Sequence, residues 1–248
     1  MGDWPLGAVD LKVLNLESER AFYAKLGLSE MPDGDAVAMG VEGRVLVRLH
    51  EMSVWGQKRP VGTAGLYHLG LRVPSQAALG SFAWRVLDES VRWLRSADHG
   101  FSQSFYFADP DGNGVEVYSD RPEEEWPQQP INLQSGRLDF EGLLAAGPRG
   151  VAGFGPEVVV GHLHLNVADL DKSTKFYVKL GMHLNGPKDA RKRYLSWNDY
   201  HHHLAINLLE GRGALKVDGG ESGIEGYETC MVQGKRADPD GIIVRAVL

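Results

Sequence analysis

The chain has almost no cysteine. Cys230 stands alone among 248 residues, which excludes an intrachain disulfide and leads us to expect a reducing, cytoplasmic setting. Long apolar runs are missing too. None approaches the ~20 residues that cross a bilayer, and no basic segment followed by an apolar one opens the chain, so neither a membrane partner nor a signal peptide is expected. Nor is there surplus positive charge. Lys and Arg number 26 against 33 Asp and Glu, a formal net charge of −7, which argues against a nucleic-acid partner. With 43% hydrophobic and 24% charged residues, the chain can still bury a core.

What is present is a repeat. Residues 7–28 (GAVDLKVLNLESERAFYAKLGL) and 161–182 (GHLHLNVADLDKSTKFYVKLGM) align without a gap at an offset of 154, with nine of 22 positions identical. Such similarity at a fixed long offset points to a duplicated unit. In the first copy Val9, Leu11 and Val13 alternate with other residues, as a strand requires. Asn15 and Asp169 stand where helix N-caps belong, Phe22 and Leu26 share one helical face, and Gly27 and Gly181 stand where a helix ends. Short strands are expected at 36–39 and 45–49, and at 193–197 and 204–208. Each unit therefore reads β-α-β-β-β.

Two more units follow these. Residues 65–73 (GLYHLGLRV) read as a strand, Ser75 as the cap of a helix striped by Leu79, Phe82, Ala83, Val86 and Leu87, and 104–107 and 114–118 as strands joined by the Asp109-Pro-Asp-Gly112 turn. In the second half 223–232 matches the opening strand, Asp238-Pro-Asp-Gly241 the turn and 242–248 the closing strand. His68 and Glu116 lie 48 positions apart, whereas the matching Gly226 and Arg245 lie 19 apart. The fourth unit is thus shortened, without its helix and one or two strands. A sheet that loses its helix bares an apolar face, which predicts a homodimer that covers it. Proline-containing residues 120–157, with a short helix expected at 138–146, read as a linker between an N-terminal domain (1–119) and a C-terminal domain (158–248).

Four such units in two pairs, together with the runs at 65–126 and at 197–207 (WNDYHHHLAIN), resemble the vicinal oxygen chelate superfamily of glyoxalase I, bleomycin-resistance proteins and extradiol dioxygenases. Within it they are similar to the catechol 2,3-dioxygenase-like bacterial branch. The resemblance implies an α+β fold of tandem units forming curled mixed sheets, the fourth unit truncated, with a metal in the cup. It also implies a small vicinal-oxygen substrate, catechol-like and aromatic. Ligands come from the first strand of each unit and the last strand of the second, as two His and one Glu. This set leaves adjacent positions open on Fe(II) or Mn(II) for a chelating substrate.

Grouped by halves, the N-terminal positions are Ala8, His68 and Glu116, and the C-terminal ones are His162, Gly226 and Arg245. His68 and Glu116 are the metal candidates; the bland alternative is a buried hydrogen-bonded pair. His99 is a candidate third ligand or proton donor, or a loop histidine bonded to backbone. The resemblance places His202 as acid–base catalyst, against a histidine that lines a cavity without metal. On a strand, His201 and His203 would face one way and His202 the other. His162 and His164 share a strand face, which leaves a site of His162, His164 and His202 open. Arg48 and His50 read as polar rim residues, and Tyr106 and the tryptophans as a pocket lining or as core. Ala8, Gly226 and Arg245 favour a second reading, a non-catalytic protein that sequesters a small aromatic metabolite.

Overall fold

The computed structural model describes residues 4–33, 36–126, 136–186, 189–208 and 220–247. Pro127 and Pro130 of the expected linker and Leu248 of the expected closing strand lie outside them. The first unit comprises β1 (Leu6–Val13), α1 (Leu16–Leu26), β2 (Ser29–Asp33), β3 (Ala36–Val41) and β4 (Arg44–Glu51). The second comprises β5 (Gly65–Val73), α2 (Gln76–Asp88), β6 (Arg95–Asp98), β7 (Ser102–Ala108) and β8 (Gly114–Asp120). A connecting α3 (Phe140–Ala146) precedes the third: β9 (Val159–Asn166), α4 (Leu170–Lys179), β10 (His183–Asn185), β11 (Lys192–Ser196) and β12 (Leu204–Asn207). The fourth holds only β13 (Gly223–Thr229), β14 (Lys235–Ala237) and β15 (Ile243–Ala246).

The local signals act as the residues dictate. Asn15, Ser75 and Asp169 each turn a side-chain oxygen onto free N–H groups of the first helical turn. Gly27 ends α1 at φ 114°, where a side chain would be strained. Within each unit the first strand pairs parallel with the last, β1 with β4, β5 with β8, β9 with β12 and β13 with β15. The fourth unit keeps this closure although it lacks a helix and one strand relative to the second. Among the described residues, no helix is long and apolar enough to cross a membrane.

The sheets do not follow the halves of the sequence. The seven-stranded sheet runs β14-β15-β13-β1-β4-β3-β2 and joins the first unit to the fourth. The eight-stranded sheet runs β10-β11-β12-β9-β5-β8-β7-β6 and joins the second to the third. A division into 1–119 and 158–248 therefore cuts both sheets, and the expectation of one cup per half is corrected. Strands β1 and β13 lie against β9 and β5, and the side chains that seal this contact, among them Val9, Leu11, Leu69, Leu71, Leu163 and Leu165, are fully buried. Each buried aliphatic side chain contributes roughly 1.5–3 kcal/mol, so the cross-half pairing is the core of the molecule. The bare face expected on the fourth unit is not found at Tyr227 and Val244, which are buried within the chain.

Candidate metal centre

Antiparallel pairing of β5 with β9 sets His68 opposite His164 and Gly70 opposite His162. Parallel pairing of β5 with β8 brings Glu116 alongside Gly70. His68, Gly70 and Glu116 thereby share a face with His162. His68 Nε2 lies 3.0 Å from His162 Nε2 and 3.0 Å from Glu116 Oε2, and His162 Nε2 lies 3.1 Å from the same oxygen. The grouping by sequence halves puts His162 with Gly226 and Arg245; the strand pairing puts it with His68 and Glu116. The six positions read from the sequence recombine across the halves. One cup receives His68, Glu116 and His162, three residues that could hold a metal ion, and the other receives Ala8, Gly226 and Arg245.

The triangle fits a divalent ion better than it fits protons. Both imidazoles can donate to Glu116 at once only by crowding two N–H groups onto one oxygen, with their nitrogens 3.0 Å apart. A cation between them satisfies all three donors. Ligands at right angles about an ion, with bonds of about 2.1 Å, stand about 3.0 Å apart, and two His with one carboxylate on an octahedral face is the pattern of non-haem Fe(II) sites. Burial alone would raise the Glu116 carboxyl, but His162 and His68 beside it hold it well below the usual range. Burial lowers His68 despite Glu116, which keeps its ring neutral and able to coordinate.

The triangle forms the wall of a cavity of about 160 Å³. Tyr67, Tyr106, Tyr118, Tyr194 and Phe101 supply its aromatic lining, and His99, His164, His201 and His202 its other imidazoles. His164 does share the inward face with His162, but its Nε2 accepts from Asn207 Nδ2 at 2.6 Å, so a site of His162, His164 and His202 is not formed through that nitrogen. His99 is not the third ligand. Its Nε2 lies 2.8 Å from Tyr106 Oη, and Tyr106 lines the cavity together with Glu116. Of the aromatic residues singled out in the sequence, Tyr106 lines this cavity, whereas Trp55 is 85% exposed.

The histidine triplet precedes β12 rather than lying on it. Strand alternation therefore does not apply, and His201 and His202 both face the cavity, while Nδ1 of His203 turns to Ser196. His201 Nε2 lies 3.0 Å from Asp120 Oδ1, and His201 Nδ1 lies 2.7 Å from His202 Nδ1. A carboxylate only accepts, so His201 carries its proton on Nε2 and accepts at Nδ1. His202 then donates from Nδ1, and its Nε2 keeps a lone pair. Burial, with His162, His201 and His164 nearby, holds His202 well below the usual imidazole range, so the ring stays neutral. The contact of His201 with Asp120 spans 81 positions, and no local pattern in the sequence signals it.

A Bacillus subtilis (strain 168) protein named catechol-2,3-dioxygenase is 30% identical to this chain over 247 residues, covering 95% of the chain and 86% of that protein. The chain belongs to the glyoxalase/bleomycin resistance protein/dioxygenase superfamily. The sequence pattern of that superfamily matches residues 159–223. Two solved structures share the fold. The cppA protein of Streptococcus pneumoniae superposes with a TM-score of 0.60 at 12% identity, covering 98% of this chain and 99% of that one. A glyoxalase I mutant from Zea mays gives 0.56 at 16% identity, covering 98% and 92%.

In the second cup the matching positions carry an ion-pair network. Arg245, at the place of Glu116, contacts Asp10 at 2.7 Å and Glu228 at 3.4 Å. Arg48 joins Glu228 at 2.8 Å and also pairs with Asp33, and His50 Nε2 lies 3.2 Å from Asp10. Arg48 and His50 thus sit inside the second cup's polar network. A guanidinium fills the centre that a cation would need.

Proposed function

We propose that the protein is a divalent-metal-dependent extradiol dioxygenase that acts on a small catechol. The observation that carries this reading is the near-equilateral contact of His68, Glu116 and His162 on the wall of a cavity of single-ring size. An engineered cavity of about 150 Å³ is known to hold benzene, and this one is about 160 Å³. Fe(II) or Mn(II), held by those three residues, would supply Lewis acidity to the diol oxygens and neighbouring open positions.

The remaining chemistry falls to the chain. The buried aromatic walls hold one ring and exclude water. His202 Nε2 takes a proton from a diol hydroxyl and returns it as the ring opens, while His201 and Asp120 keep that nitrogen unprotonated beforehand. His99 steadies Tyr106, which lines the cavity beside Glu116. Both atoms of dioxygen end in the ring-opened product, so no external reductant is needed. The ligand-poor positions that favoured a non-catalytic binder, Ala8, Gly226 and Arg245, lie in the other cup and no longer speak against catalysis here.

A second copy is proposed as partner only on Met231 and Val247, apolar and about half exposed near the short fourth unit; a monomer in light scattering removes it. The central test is metal analysis of protein purified without oxygen, beside His68→Ala and His162→Ala. Near-stoichiometric iron or manganese lost in both variants, with catechol-dependent oxygen uptake, supports the reading. Metal retained in His162→Ala, or no oxygen uptake by loaded protein with any catechol, overturns it.

A further inference from the structure

All the residues that line the cavity are buried except Tyr67, Arg95 and Lys192, so these three mark its mouth. Arg95 opens β6, at one edge of the eight-stranded sheet, and Lys192 opens β11, next to the opposite edge. The curl of the sheet brings the two ends around one cavity. The Arg95 guanidinium lies 3.9 Å over the ring of Tyr106, which lines the same cavity. No salt bridge occupies either cation among the described residues. Asp189, the acid nearest Lys192 in sequence, spends its carboxylate on the N–H groups of Arg191 and Lys192.

The charges do not balance. The lining holds two cations and one carboxylate, Glu116. A divalent ion at the triangle would add two more positive charges, and a diol that loses its protons could return at most two. Among the described residues, neither cation at the mouth would then have a carboxylate in salt-bridge contact. Resting on the dioxygenase reading above, we propose that the substrate ring bears an anionic substituent, a carboxylate attached directly or through a short carbon chain, which Arg95 and Lys192 hold at the mouth while the diol points to His68, Glu116 and His162.

The test is calorimetric binding without turnover. Protein loaded with Zn(II), which does no redox chemistry, is titrated without oxygen with 3,4-dihydroxybenzoate and with catechol. Expected is a preference for the carboxylate of about tenfold or more. That preference shrinks severalfold as salt rises. It collapses in Arg95→Met and Lys192→Met, and Arg95→Lys restores part of it. Benzoate without the diol serves as a control and binds weakly. Equal affinity for the two diols, or a preference that both methionine variants keep, overturns the proposal while the dioxygenase reading stands. Failure of both diols to bind metal-loaded protein overturns that reading, and this proposal with it.

Discussion

The ring of His162 lies directly on Gly70. A methyl group at position 70 would stand 2.5 Å from Cε1 and 2.8 Å from Nε2 of His162. The ring of His162 reaches His68 and Glu116 only because its cross-strand neighbour has no side chain. The other cup shows the reciprocal arrangement. Ala8 replaces the histidine and Glu228 replaces the glycine, with Oε2 of Glu228 3.3 Å from the Ala8 amide nitrogen. One cup spends the space on an imidazole ring, the other on a carboxylate.

Gly70→Ala is therefore expected to push His162 off its nitrogen contacts. Metal affinity should fall about tenfold or more, since 1.4 kcal/mol suffices for that. The fold should survive, with a modest drop in melting temperature. Competition with a chelator of known affinity measures the first and calorimetry the second. Unchanged metal retention would mean that the ring of His162 is not pinned.

Arg245 lets the second cup's charges be tested. Asp10 and Glu228 have side chains only 4% and 7% exposed; Arg245 is the guanidinium nearer to Asp10 and also touches Glu228. Removing one partner of a buried pair costs about 3–5 kcal/mol. Arg48 still faces Glu228, so Arg245→Ala should cost about 2 kcal/mol in urea unfolding and leave bound metal unchanged. Loss of metal instead would place a ligand site in this cup.

Much of this was legible in the sequence. The repeat at an offset of 154 positioned the helices, their Asn15, Ser75 and Asp169 caps, and all six positions where ligands could stand. What could not be read locally was which strands meet. Strand alternation shows which side of β9 His162 takes but not that β5 lies beside it, because that pairing is fixed by burial of residues nearly 100 positions apart. One signal was available: three ligands among six positions make one full set if the halves exchange strands. The roles of His201 and Asp120 were hidden for another reason, since their hydrogen bonds run through a turn that alternation does not describe.

Glu19 makes stability depend on pH. It is fully buried on α1, its Oε1 accepts from the Asp111 amide, and its Oε2 has no partner. Burial, with Asp109 and Asp111 close by, pushes its carboxyl from 4.5 up to about 9. A raised value means that the folded state prefers the neutral acid. Stability is then fully present below 4.5 and is lost as pH climbs toward 9. The third unit has Ser173, a neutral group, at the matching place, also buried. Glu19→Gln should leave stability near pH 4.5 as it is and add about 1–2 kcal/mol at pH 8, or about 2–8 °C in melting temperature. A melting profile across pH that matches the parent protein would sink the idea.

Asp120→Asn tests how the proton acceptor is held. Oδ2 of Asp120 faces two donors, Tyr200 Oη at 2.9 Å and Arg72 at 3.4 Å. An asparagine must therefore turn its oxygen to that side and its NH₂ toward His201 Nε2. His201 can then no longer carry its proton on Nε2. The proton moves to Nδ1, which donates to His202 Nδ1 and leaves His202 with its proton on Nε2, facing the cavity. The ring is in place and neutral but cannot accept. With a catechol substrate kcat should fall about 10²–10⁴-fold, the range for a lost acid–base group, while KM and metal content stay near those of the parent. Nitrogen NMR of the histidines supplies a readout independent of turnover, since the His202 resonances should exchange their protonated and bare signatures. An unchanged tautomer with full activity would remove His201 and Asp120 as positioning residues, and a parallel loss of metal would assign them to the structure of the site instead.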